Sequence, residues 1–252
     1  ARTDIMKISK FRDLTFIDIN QNQTIVIACD SSGAIGNKER DLVQVDPELL
    51  GDLTAQVVLK EILATGAEPI TIVNTLSVEM NDTGERIIKG IMKATEPLGL
   101  PDIHIITGST EENFPTCQTG MGITIIGIID KNNWKQPRTK SGLLAVVVGI
   151  PKVGYEVLED KGEILSIKHL IELKNNPNIY EILPVGSKGI LFELNEMART
   201  SNLTFCLDDD LKLDLNKTAG PATCAIISIA ENDYEKLEKS FPIPVNRIGR
   251  FI

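Results

Sequence analysis

An α+β chain folded as two lobes is predicted by three observations. Segments rich in Ile, Val and Thr alternate with segments of helical apolar period, the 252 residues exceed the length of one small domain, and a polar stretch near the middle lacks any apolar period. In chain order, strand character runs over Thr24–Ala28 and Asp41–Val45, where β-branched residues suit a pleated surface. A helix follows over Asp46–Thr65: Asp46 supplies an N-cap oxygen, Pro47 suits the first turn and Gly66 can close the end. Ile70–Glu79 reads as a strand, Thr83–Pro97 as a second helix, and Ile103–Thr107 and Gly122–Ile129 as strands. Asp130–Ser141 is the expected linker, giving an N-terminal domain over 1–140 and a C-terminal domain over 141–252. Beyond it the pattern predicts strands at Leu143–Ile150 and Thr223–Ile229. Helices are expected at Ile164–Lys174, Lys188–Ser201 and Asn232–Ser240, each with apolar residues three and four apart.

Composition narrows the function. The 26 Lys and Arg stand against 35 Asp and Glu, a formal net charge of −9 that disfavours nucleic acid held by counterion release and disfavours anionic membranes. No apolar run reaches the roughly 18 to 20 residues that span a bilayer, and a signal-peptide layout is missing, so a cytoplasmic protein is expected. Cys29, Cys117, Cys206 and Cys224 form no C-x-x-C pair, which argues for reduced packing residues over a zinc or redox site. His104 and His169 have no Ser or Cys pattern beside them, so neither is expected to be catalytic.

Three segments carry candidate chemistry. On the first helix, Leu50, Leu53, Val57, Val58 and Ile62 form an apolar stripe, and Glu61 falls within it. A carboxylate there needs a partner, either a structural Lys or Arg or else a metal ion or cationic ligand. The second segment, Cys29-Asp-Ser-Ser-Gly-Ala-Ile-Gly-Asn-Lys38, follows a strand. Asp30 can ligate Mg²⁺, Gly33 and Gly36 permit close backbone approach, and Asn37 and Lys38 can meet phosphate oxygens; the alternative is a plain turn. It is not a Walker A loop, since Asn37 separates Gly36 from Lys38. The third segment, Thr107-Gly-Ser-Thr-Glu-Glu-Asn113, offers Gly108, Ser109 and Thr110 to phosphates and Glu111 and Glu112 to a metal, or else forms a solvated acidic turn.

Taken together, these segments resemble the aminoimidazole ribonucleotide synthetase (PurM-like) superfamily. Asp30-Ser-Ser-Gly-Ala-Ile-Gly-Asn-Lys38 resembles its Asp-Gly-Val-Gly-Thr-Lys loop with an insertion. Leu59-Lys-Glu-Ile-Leu-Ala-Thr-Gly-Ala-Glu-Pro69 resembles its Val-Asn-Asp-Ile-x-x-x-Gly-Ala-Glu-Pro segment, with Glu61 at the metal-binding aspartate and Lys60 at the asparagine. Thr107-Gly-Ser-Thr110 resembles its Gly-Gly-Asp/Glu-Thr loop, with Ser109 where the family usually has an acid. The C-terminal half is similar only through Val185–Ile190 and Gly220–Ala222. Arg250-Phe-Ile252 lacks the terminal cysteine of the hydrogenase maturation branch, and no reactive Cys suggests selenophosphate synthetase. Residues 28–79 are most similar to the alpha-ribazole kinase branch of cobalamin lower-ligand salvage.

This resemblance implies a PurM-like fold, with an N-terminal mixed sheet that forms a barrel in a homodimer and a C-terminal α/β lobe. It further implies ATP and Mg²⁺ as cofactors and a small-molecule acceptor, alpha-ribazole, phosphorylated on its 5-hydroxyl. Lys38 and Lys60 are then the expected catalytic cations, Asp30, Glu61 and Glu111 or Glu112 the metal ligands. The alternatives are a thiamine-phosphate-type kinase, a cyclo-ligase or a nucleotide-binding regulator without catalysis.

Overall fold

The structure is a computed structural model describing residues 6–99, 104–134 and 136–252. The chain divides into two compact units, one of residues up to 62 with 66–134, the other of residues 63–65 with 135–252. The α+β class expected from the sequence is the class observed.

In the first unit the elements follow in the order β1 (Ile8–Phe11), β2 (Leu14–Asp18), β3 (Gln23–Gly33), β4 (Ile35–Gly36), β5 (Val43–Gln44), α1 (Pro47–Ala64), β6 (Glu68–Leu76), α2 (Glu85–Thr95), β7 (His104–Ser109) and β8 (Gly120–Asp130). Six strands form one sheet in the order β1-β2-β3-β8-β6-β7, antiparallel throughout except for the parallel β6–β7 pair at the edge. Alternation explains its sidedness: Val26, Ala28, Ile72, Ile123 and Ile125 are buried on one face, while Ile25, Ile27, Ile126 and Ile128 on the other are half-buried. Against the buried face lie Val58, Leu59 and Ile62 of α1 and Ile87 and Ile91 of α2, each fully buried and contributing on the order of 1.5–3 kcal/mol.

The N-cap expected at Asp46 is present, its Oδ1 accepting the Glu48 N–H at 2.8 Å. Gly66, at φ +90°, turns the chain after α1. The two helices meet backbone to backbone. A Cβ on Gly51 would stand 2.1 Å from the Ile87 carbonyl oxygen, and one on Gly90 1.8 Å from that of Glu48. Across this crossing Lys89 pairs with Glu48 and Arg86 with Asp46.

The second unit holds β9 (Leu144–Gly149), α3 (Tyr155–Leu158), α4 (Ile167–Asn175), β10 (Ile179–Pro184), α5 (Ile190–Thr200), β11 (Phe205–Leu207), β12 (Cys224–Ile229), α6 (Glu231–Ser240) and β13 (Val245–Phe251). Its antiparallel sheet runs β10-β12-β9-β13-β11. β9 and β12 are buried at every position, which accounts for their apolar character; the one hydroxyl among them, that of Ser228, is within hydrogen-bond distance of the Thr139 hydroxyl at 3.0 Å. His169 serves α4 as a cap: its backbone N–H donates to Ser166 Oγ and its Nδ1 accepts the Ser166 N–H, each at 3.2 Å. The strand expected over Ile103–Thr107 appears as β7; residue 103 lies outside the described residues.

Candidate functional site

Strand register brings the second and third sequence segments to one end of one sheet. Asp30 pairs with Ile123, Ile123 with Asn74, and Asn74 with Gly108; in the next row Ser31, Gly122, Thr75 and Ser109 align. Side chains of one row share a face, and the Asp30 row is the one whose Ile123 and Asn74 are buried. Asp30 is therefore half-buried on the helix side. Burial pushes its carboxyl above the usual carboxylate range, the Ser31 backbone N–H opposes this, and the Asp13 charge adds to it. None of these influences comes from a cation.

After β3 the chain enters a tight, cross-braced loop. Asp41 is 7% exposed; its Oδ1 accepts the Thr119 N–H at 2.8 Å, and its Oδ2 accepts the Thr119 hydroxyl at 2.7 Å and the Lys38 N–H at 2.8 Å. Gly36 sits against this brace at φ +152°, where a Cβ would lie 2.3 Å from Thr119 Oγ1 and 2.8 Å from Asp41 Oδ2, so only glycine fits. Gly33 has open space around it, and Asn37 is exposed. Lys38 Nζ donates to Glu79 Oε2 at 2.6 Å, and Glu79 Oε1 accepts the Thr83 hydroxyl at 2.6 Å. Burial works to raise the Glu79 carboxyl, but the Lys38 ammonium and the Thr83 hydroxyl outweigh it and hold it below the usual range.

The third segment is closely backed by β6, since a Cβ on Gly108 would meet the Asn74 amide at 2.7 Å. Ser109 is exposed at the strand end and Thr110 half-buried. Glu112 Oε1 accepts the Thr110 hydroxyl and the Met80 N–H, both at 2.8 Å. Glu111 Oε1 accepts the Asn113 and Phe114 N–H groups at 2.7 and 3.2 Å, which hold its carboxyl below the usual range. Between β3 and β7 lie two strands, so the two loops start about 14 Å apart on the sheet.

The first segment lies elsewhere along the sheet. Ile62 of α1 packs on Gly127, four residues and about 13 Å along β8 from the Asp30 row. Glu61 is half-buried there, and Lys60 is 2% exposed. Among the described residues, no three His, Cys, Asp or Glu side chains gather into a metal-holding group, so Asp30, Glu61, Glu111 and Glu112 do not form one centre within the chain. Nor, among the described residues, is any helix long and apolar enough to cross a membrane.

Residues 12–129 match the family described as AIR synthase related protein, N-terminal domain. The first unit is thus similar to an AIR synthase-related N-terminal domain. A search of curated proteins finds no match. Solved structures extend the likeness to the whole chain. The hydrogenase maturation protein HypE of E. coli superposes with a TM-score of 0.65 at 15% identity, over 90% of this chain and 79% of that one. PurL of T. maritima, complexed with ATP, gives 0.65 at 13% identity over 94% of this chain, which spans 42% of PurL. AaThiL, complexed with AMPPCP and TMP, gives 0.62 at 14% identity over 96% and 86%. The fold is thus PurM-like.

In the first unit, sequence reasoning missed Asp41, Thr119 and Glu79 as the residues that brace the loops. Asp41 and Glu79 both lay within segments read as strands, and their partners stand 78 and 41 residues away, a separation no local pattern encodes.

Proposed function

We propose that the protein is an Mg²⁺- and ATP-dependent phosphotransferase that phosphorylates the 5-hydroxyl of a nucleoside, alpha-ribazole. The observation that carries this reading is the end of the first sheet, which bears a half-buried carboxylate, a glycine-lysine loop and, two strands across, a Gly-Ser-Thr loop. Phosphoryl transfer asks for positioning and charge neutralisation rather than a covalent nucleophile, and these are the groups it needs. PurL and AaThiL of the same fold are complexed with ATP and with AMPPCP, which supports a nucleotide here. The choice of alpha-ribazole rests on the sequence likeness of residues 28–79.

Mg²⁺ fits the donor set. It takes oxygen ligands, and Asp30 offers a carboxylate disfavoured by burial and, among the described residues, in no ion pair. Asp30 would hold the ion; Glu61, about 13 Å away along the sheet, and Glu111 and Glu112, which accept hydrogen bonds from their own loop, do not join it in one centre within the chain. The metal supplies charge neutralisation on the phosphates. Lys38 adds a cation from the protein, Gly36 lets the backbone approach closely, and Ser109 and Thr110 offer hydroxyl and N–H donors.

A homodimer belongs to the same reading. Ile25, Ile27, Ile126, Ile128 and Val73 share the sheet face away from the helices, half-buried, with Ile70 46% exposed beside them. A second copy laid on that face would cover them.

The test is incubation with ATP, Mg²⁺ and alpha-ribazole, with mass detection of the products. One 5-phosphate should form for each ADP. Consumption of thiamine phosphate with alpha-ribazole untouched would move the protein to another branch, and ADP release with no acceptor of any class would remove the kinase reading.

A further inference from the structure

The two candidate phosphate loops are separated by two strands, yet one short segment, Val78–Met80, is tied to both. The sheet order β3-β8-β6-β7 places the segment after β6 between the loop after β3 and the loop after β7. Glu79 lies in that middle segment. On one side its Oε2 takes the Lys38 ammonium at 2.6 Å. On the other, the next residue's N–H, that of Met80, donates to Glu112 Oε1 at 2.8 Å, which also holds Thr110. A second tie runs from the Glu111 N–H to the Val78 carbonyl at 3.0 Å. Thr83 fixes the remaining Glu79 oxygen, which holds the carboxylate in the orientation that meets Lys38, while the backbone on either side of Glu79 meets the Glu112 loop.

We propose that Glu79 is a positioning residue that couples the Gly33–Lys38 loop to the Ser109–Glu112 loop, so that the two move as one surface. This rests on the phosphate-binding reading only for its use, since the coupling itself is a property of the ligand-free chain. The Lys38 side chain is 18% exposed and that of Glu79 33%, so their pair is sheltered enough to hold a loop, unlike a fully solvated surface bridge. Without it, the Lys38 loop keeps its Asp41–Thr119 brace but loses its connection to the Glu112 side.

The experiment is hydrogen–deuterium exchange of the full chain, first without ligand and then with Mg²⁺-ATP. Glu79→Gln, and separately Lys38→Met, should speed amide exchange in residues 110–114 as well as 77–84, by roughly five- to thirtyfold for a lost tie of ordinary strength. The charge-reversed pair Lys38→Glu with Glu79→Lys should restore protection in both segments, which a purely local packing role would not do. Exchange that changes only in 77–84 in both single variants, or no rescue by the reversed pair, overturns the coupling. Mg²⁺-ATP should then protect both loops together in the wild type. If the loops prove coupled in the free chain while Mg²⁺-ATP protects neither, the coupling stands and the nucleotide reading fails.

Discussion

Asp30 is the residue at which stability and proposed function pull in opposite directions. Its carboxyl is raised by burial, so the folded chain favours the protonated form, and ionisation near neutral pH works against the fold. Asp30→Asn should therefore raise the melting temperature of the ligand-free protein at pH 7, and the gain should vanish below the unfolded value of about 3.9, where both forms are neutral. The same variant should lose the stabilisation by Mg²⁺-ATP, which in the wild type should reach about 2.7 kcal/mol at a hundred times Kd. Thermal melts of both proteins with and without nucleotide check the two halves at once; an Asn variant less stable at pH 7 would show that Asp30 has a structural partner. Asp30 and Lys38 were legible in the sequence because an acid at a strand end, followed by glycines and a lysine, is a local signal. Glu79 was not, because its role appears only when Lys38 reaches it across 41 residues.

At the scale of elements, local pattern located every long helix and the central strands to within a few residues, because caps and β-branched runs are local. It passed over β2 and β10 although both carry buried apolar residues, and for three other strands the silence has a physical reason. β1 is a four-residue edge strand with three exposed positions, β11 has three residues, and β13 carries Asn246, Arg247, Gly249 and Arg250 among its seven. The helical stripe placed on α1 was also incomplete: Leu59 and Lys60 are buried while Leu53 and Val57 are half-buried, so burial wraps round the helix and its periodicity weakens. The α1–α2 crossing depends on Gly51 and Gly90, and a methyl on Gly90 would meet the Glu48 carbonyl oxygen and the Asp52 nitrogen rather than a movable side chain. Gly90→Ala should cost about 1–3 kcal/mol by overpacking despite alanine's better helix propensity. Denaturant melts read this directly, and a neutral or stabilising outcome would mean that the helices separate freely.

For the whole molecule, a sheltered lysine–carboxylate pair recurs in each unit, Lys38–Glu79 in the first and Lys152–Asp160 in the second. In the second unit, Lys152 Nζ pairs with Asp160 at 2.6 Å and Glu163 at 2.8 Å, with Lys152 and Asp160 each 12% exposed. Burial works to raise the Asp160 carboxyl, but the Lys152 ammonium and the Gly162 and Glu163 N–H groups hold it below its ordinary value. A depressed carboxylate contributes stability above its unfolded pKa and loses it as pH falls through the folded one. Asp160→Asn should therefore be less stable than the wild type at pH 7, and the difference should shrink below about pH 3.9. A difference unchanged down to pH 2 would assign Asp160 a role independent of its charge.

On the proposed function, the sheet end bearing Asp30, Lys38 and Ser109–Glu112 holds Mg²⁺-ATP. Isothermal titration of AMPPCP into the wild type and Asp30→Asn, with Mg²⁺ and with a chelator, tests it most directly. One nucleotide should bind per chain, in the wild type only with Mg²⁺, and at least tenfold more weakly in Asp30→Asn. Equal affinity with the chelator present, or unaltered binding by the Asn variant, would contradict it.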